Sequence, residues 1–174
     1  MNLTQSIVIA NKLKTMKNII LLITITIASL SCKAQNTINA NELTINGVAI
    51  RGKNKSMLIS NFGQPLEIEK GYSEMDKVDM YIYKYDGAVF YVMKNLIDDF
   101  EITKNKHSIS KYSLTKHDIK IGDNIEKLKN IFPLSYSKKS ETHMSIHIEK
   151  YDVYVGFYID NKTKKIKRMS VGSY

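Results

Sequence analysis

Two stretches of the chain read alike: Gly52-Lys53-Asn54-Lys55-Ser56-Met57-Leu58-Ile59-Ser60-Asn61-Phe62 and Gly122-Asp123-Asn124-Ile125-Glu126-Lys127-Leu128-Lys129-Asn130-Ile131-Phe132. They align without a gap at an offset of 70 residues, with Gly, Asn, Leu and Phe in common. Ile50 and Lys120-Ile121 precede the copies, and Pro65 and Pro133 follow them. In each copy a glycine turn leads to Asn, a favoured helix N-cap. Leu and Phe four residues apart then share one face of a two-turn helix, and proline ends it. Self-similarity at a fixed spacing signals a repeated structural unit.

Strand patterns follow each copy. Met80–Tyr85 alternates, Asp86-Gly87 is a hairpin turn, Ala88–Met93 returns, Lys94-Asn95 turns again, and Leu96–Thr103 runs on. In the second copy Met144–Ile148, Asp152–Ile159 and Lys165–Val171 take the same parts, with Asp160-Asn161-Lys162 as a turn. Residues 107–120 link the copies, with a strand expected over Ile109–Leu114. The expected fold is α+β: two related units, 42–104 and 105–174, each a short helix packed on an antiparallel β-meander, able to join into one continuous sheet. Leu58, Phe62, Phe90, Leu128, Phe132, Val155 and Phe157 are the expected core. The basic run of Lys162, Lys164, Lys165, Lys167 and Arg168 reads as a hairpin and an edge strand, where lysine discourages strand addition.

Gly52, Leu58, Phe62, Gly63 and Pro65, with Gly122, Leu128, Phe132 and Pro133, make a pattern that resembles the repeats of the β-lactamase inhibitor protein. It also resembles the small lipoprotein of the outer-membrane β-barrel assembly machinery. The second copy lacks the glycine before its proline. The resemblance covers residues 45–103 and 119–172. It implies fold and a non-catalytic binding role, and it names no partner for this chain.

The N-terminus carries an address. Met16-Lys17-Asn18 is positive, Ile19–Ala28 is an uncharged apolar run, and Ser29-Leu30-Ser31 leads to Cys32. That is the layout of a secretory signal, and the run is short for a membrane-spanning helix. Met16 makes a better start than Met1. Cys32 resembles the lipobox cysteine of bacterial lipoproteins, although Ser29 stands where leucine is usual. The resemblance implies that the Cys32 thiol is diacylated, that residues 1–31 are removed as signal peptide and that the new N-terminus is acylated. Each buried CH₂ adds about 0.8 kcal/mol of membrane affinity. Residues 32–41 would then be a tether. Lys33 follows Cys32 where inner-membrane retention calls for Asp. The expected location is therefore the outer membrane, periplasmic face, with the membrane itself as partner through Cys32.

The 174 residues are 43% hydrophobic and 25% charged, enough for one globular domain or two small ones. A single Cys excludes an internal disulfide framework and a Cys-rich zinc site. The signal contains Lys12, Lys14 and Lys17; without these three, 23 of the 26 basic residues face 17 acidic ones, or +6. A secreted lipoprotein of that charge is expected near anionic headgroups, not on nucleic acid.

No Gly-x-Ser-x-Gly elbow, P-loop, His-Glu-x-x-His or dinucleotide fingerprint occurs. Asp98 and Asp99 adjoin in a strand, where neighbours point to opposite faces, and so make a poor acid–base pair. His143 and His147 share a strand face but sit roughly 13 Å apart at 3.3 Å per residue, too far for one zinc. No catalytic residue, metal or cofactor is expected. Tyr81, Tyr83 and Tyr85 share one face, opposite Met80 and Ile82; Tyr154 and Tyr158 lie opposite Val153, Val155, Phe157 and Ile159. Both tyrosine faces are expected to look outward and bind an unidentified protein, since tyrosine is enriched at interfaces. The reading is thus a membrane-anchored periplasmic lipoprotein acting as a non-catalytic protein-binding or envelope-assembly module. The alternatives are an immunity or inhibitor protein that blocks a secreted hydrolase, and a small periplasmic hydrolase with His117, His143 or His147 beside an acid.

Overall fold

A computed structural model describes residues 37–111 and 118–172; the signal, Cys32 and His117 lie outside the described residues. The elements in order are β1 (Thr37–Ile38), a 3₁₀ turn (Ala40–Glu42), β2 (Leu43–Ile45), α1 (Ser56–Phe62), β3 (Glu67–Ser73), β4 (Val78–Tyr85), β5 (Ala88–Met93), β6 (Leu96–Ile102), β7 (Ser108–Lys111), β8 (Ile119–Lys120), a second 3₁₀ turn (Ile125–Leu128), α2 (Pro133–Ser137), β9 (His143–Ile148), β10 (Tyr154–Ile159) and β11 (Ile166–Gly172). An eight-stranded sheet runs in the order β1-β9-β10-β11-β6-β5-β4-β3, and a three-stranded sheet in the order β2-β7-β8. No helix among the described residues is long and apolar enough to cross a membrane.

The meanders β4-β5-β6 and β9-β10-β11 join through their last strands. β11 lies antiparallel to β6, with Met169 opposite Ile102 and Val171 opposite Phe100. Each glycine turn clamps onto its own meander by the same bonds. Gly52 N–H donates to the Ile97 carbonyl at 2.6 Å, and Ile97 N–H returns to Lys53 at 2.8 Å. Gly122 N–H donates to Ile166 at 2.8 Å, and Ile166 N–H returns to Asp123 at 2.9 Å. Both glycines have positive φ, +69° and +91°, which glycine adopts without the strain a Cβ brings. The Asn54 side-chain oxygen accepts from Ser56 N–H at 3.0 Å, and that of Asn124 from Glu126 N–H at 2.9 Å. These local bonds follow from the Gly-x-Asn spacing.

The expected fold class needs correction. The protein is mostly β, not an α+β pair of helix-on-meander units. Only the first copy forms an α-helix; the second collapses to a single 3₁₀ turn, Ile125–Leu128. Pro133 does not end a helix but opens α2 at its first position, where its missing N–H costs nothing. The units are also not separable. β2 precedes the first copy and pairs with β7 from the linker, Thr44 opposite Ser110. β3 is an added strand, paired along its length with β4. Within the expected tether, Thr37 pairs in parallel with His147 and Ile38 with Ile148. The basic run does not mark an edge. β11 is interior, between β10 and β6, and its charged residues stand on the solvent-facing rows.

One face of the long sheet is the core. Phe90, Phe100 and Phe157 are fully buried there, as are Leu58 of α1 and Leu128 of the second 3₁₀ turn. Phe62 packs against this cluster from the side, 5.0 Å from Phe90 ring to ring. The small sheet covers the β9–β10 part: Leu43, Ile109 and Ile119 meet Ile146, Val155 and Phe157 around a gap of only about 10 Å³. That is room for one water at most.

Candidate binding face

On the other face of the long sheet, the end of α2 stands beside the outer part of β9. Burial alternates strictly along β9 and places Met144, Ile146 and Ile148 inward and His143, Ser145 and His147 outward. The register then builds rows across the strands. His143 lies opposite Tyr158, and Tyr158 opposite Arg168. Ser145, Gly156 and Ser170 form the next row, continued by Glu101. His147 lies opposite Tyr154, and Tyr154 opposite Gly172. Small residues thus form the middle row, between two banks that carry aromatic rings.

The banks are held in place. The His143 ring sits 5.0 Å from Tyr158 and the His147 ring 5.1 Å from Tyr154. The Arg168 guanidinium stacks 3.7 Å over the Tyr158 ring and reaches Glu101 at 3.4 Å. Stacking and ion pairing together fix a side chain that is otherwise rich in rotamers. Burial pushes the His143 imidazole below its usual pKa, and the Arg168 charge adds to this.

The tyrosines predicted as one class divide. Tyr154 and Tyr158 are half-buried on the open face. Tyr83 and Tyr85 are not on an open surface; they are 5% and 9% exposed and belong to the core. Tyr85 donates its hydroxyl to the Gly63 carbonyl at 3.2 Å and packs edge-on against Phe90. Helix α1 covers this side of β4 through Phe62, so Ile82 and Met80 take the open side. Tyr81 shares the side of Tyr83 but lies beyond the helix layer, 41% exposed, with Lys55 5.9 Å from its ring. It cannot contribute to one surface with Tyr154 and Tyr158. Cys32 lies outside the described residues.

Asp98 and Asp99 also differ from the alternation argument. A register shift between Tyr91 and Val92 places Asp99 opposite Tyr91 and Ile97 opposite Val92. The extra residue, Asp98, breaks the alternation, as a β-bulge does. Both carboxylates then approach one guanidinium: Arg51 Nη2 is 3.4 Å from Asp98 and 3.9 Å from Asp99. Burial, reinforced by Asp98 and opposed by Arg51, pushes the Asp99 carboxyl up to about 6. The Arg51 guanidinium also lies 5.0 Å over the Tyr151 ring. Sequence reasoning missed Arg51 and Arg168 because both act across strands far apart in the chain.

Among the described residues no cluster of three His, Cys, Asp or Glu side chains is arranged to hold a metal ion. His107 is buried, bonded at 3.1 Å to Asn46 and at 3.1 Å to the Asp86 carbonyl, and burial lowers its pKa. Its place is structural, between β2 and the β4–β5 turn.

No family model matches the chain, and no curated protein matches its sequence. Among solved structures it is similar to an extracellular protein containing a SCP domain from Bacillus anthracis str. Ames, with a TM-score of 0.52 and 14% identity, over 71% of this chain and 44% of that one. A cysteine-rich secretory protein from Staphylococcus aureus subsp. aureus Mu50 aligns over 80% of this chain and 49% of its own, with a TM-score of 0.47 and 18% identity. The chain spans less than half the length of either protein. At 14% identity the first likeness is one of fold, and it accords with a mostly β architecture in place of two helix-on-meander units.

Proposed function

We propose that this chain is a lipid-anchored envelope protein that works by binding another protein through the open face of its long sheet, and not by catalysis. The observation that carries the reading is the Tyr158–Arg168–Glu101 arrangement in that face. Tyrosine and arginine dominate interface hot spots, and here both are ordered before any partner arrives, which lowers the entropic cost of binding. Tyr154 and Tyr158 are the contact residues of this reading. The membrane anchor rests on the Cys32 signal in the sequence, at the outer membrane facing the periplasm.

Photo-crosslinking in the native envelope tests the binding claim. A benzophenone amino acid placed at Ser145 or Ser170 should give one discrete adduct, and the same group at Ile59 on α1 should not. Equal adducts from both sides, or none from the open face, overturn the reading. If the adduct is a secreted hydrolase, the protein binds as an inhibitor or immunity protein. Anchoring is checked separately: Cys32→Ala should abolish palmitate labelling and release the protein from the membrane fraction.

A further inference from the structure

A cleft of about 290 Å³ opens at the β9 end of the sheet, between the end of α2 and the stretch of β9 that precedes its short pairing with β1. Its walls include Lys138, Lys139, His143, Ser145, His147 and Tyr154, and among the described residues no carboxylate lines it. The geometry points to a binding site for a phosphate-bearing ligand in this cleft. The site shares His143, His147 and Tyr154 with the open face, and it stands whether or not that face takes a protein.

The chain is built to bring these groups together. Lys138 caps α2 with its N–H on the Ser135 carbonyl at 3.2 Å. The Ser140 hydroxyl then pins the turn, accepting from His143 N–H at 3.0 Å and donating to the His143 carbonyl at 3.2 Å. This folds the two lysines back alongside β9. Lys139 rests 4.9 Å from the Tyr136 ring, and neither lysine has an ion-pair partner among the described residues. Of the other surface lysines, Lys70, Lys84, Lys104, Lys106 and Lys127 are paired with acids and Lys53, Lys94 and Lys165 are not, among the described residues; what sets Lys138 and Lys139 apart is the cleft they share with His143 and His147. A concentration of cation without acid attracts an anion.

The donor set favours phosphate over carboxylate. A phosphate monoester carries up to two negative charges and three acceptor oxygens. It can engage two ammonium groups, an imidazole and a serine hydroxyl at once, from both walls of the cleft. A carboxylate offers two oxygens in one plane. The volume is at the small end of ligand sites, which suits a phosphate with a short organic group lying against Tyr154. The phosphate can belong to a soluble ester or to a lipid headgroup.

Titration of the full ¹⁵N-labelled chain in neutral detergent micelles tests the site. Pyrophosphate is the soluble probe, and phosphatidic acid doped into the micelles is the headgroup probe, with phosphatidylcholine as its control. The readout is the imidazole resonances of His143 and His147. A saturable shift with either anionic probe is expected; competition between the two shows that they share the site, and the tighter of them identifies the source. A double variant, Lys138→Gln with Lys139→Gln, should weaken binding about a hundredfold, since each of the two charge-assisted bonds contributes about a factor of ten. Lys165→Gln with Lys167→Gln, equal in charge loss and outside the cleft, should leave the affinity unchanged. No saturable shift with either probe overturns the proposal, and so does equal weakening in both double variants, which is the mark of diffuse charge attraction.

Discussion

Arg51 holds Asp98 at 3.4 Å although 47 residues separate them, and the Arg51 side chain is only 8% exposed. The loop before α1 is thereby pinned to the bulge of β6, at the margin of the open face. Among the described residues the buried Arg51 Nε has no hydrogen-bond partner, so the pairing of its Nη2 does most of the compensating for burial.

Removing Arg51 should therefore be expensive. Arg51→Met leaves two neighbouring carboxylates without their cation, and loss of one member of a buried pair costs several kcal/mol. Asp98 and Asp99 are partly exposed, so the expected loss is about 2 kcal/mol. Urea unfolding measures it. Adding Asp99→Asn should restore part of the loss, because one of the stranded charges is gone.

Asp99 should set a pH dependence. Its folded pKa, about 6, lies above the ordinary value of 3.8. The native state then binds the proton more tightly than the unfolded chain, and stability falls as pH rises through that window. Above about pH 6 the loss is complete, on the order of 2 kcal/mol for a carboxylate that keeps some solvent contact. Urea midpoints on either side of the window should differ in the wild type and converge in Asp99→Asn. An undiminished slope in the variant would assign the effect elsewhere.

The paired glycine turns should respond alike. Nothing lies within 4 Å of a Cβ built on Gly52 or Gly122, so alanine there meets backbone strain and no clash. Gly52→Ala and Gly122→Ala should each cost about 1 kcal/mol. The two costs should add in the double variant, since the sites lie on different meanders. Thermal unfolding monitored by circular dichroism checks both points.

The tyrosines should separate stability from binding. Tyr85→Phe loses the bond to the Gly63 carbonyl and should cost about 1 kcal/mol. Tyr158→Ala removes the platform under Arg168 and the ring beside His143, and should cost about 1 to 2 kcal/mol while leaving the protein folded. It should nevertheless abolish the adduct formed at Ser170.

Much of this protein was legible locally. The Gly-x-Asn spacing at 52–54 and 122–124 determined two turns that bond to their meanders in the same way. The alternation of β10, with Tyr154, Gly156 and Tyr158 on one side and Val155, Phe157 and Ile159 on the other, identified its faces. Lys94 and Asn95, both at positive φ, make the hairpin turn expected between β5 and β6. The signal run and Cys32 are likewise statements of sequence alone.

Tertiary structure decided the rest. On β4 both sides are apolar, Met80 and Ile82 against Tyr81, Tyr83 and Tyr85, so alternation defines two faces without saying which is covered. Phe62 and Phe90, packing from other elements, chose the tyrosine side. Pro133 follows a stop pattern in sequence, yet it opens α2 because proline suits a first helical position as well as a termination. The interior place of β11 depends on its pairing with β6, 67 residues away at Arg168 and Glu101. Alternation and turn chemistry act over a few residues. Which strand becomes whose neighbour, and which face is left to solvent, depends on burying one shared core across the whole chain.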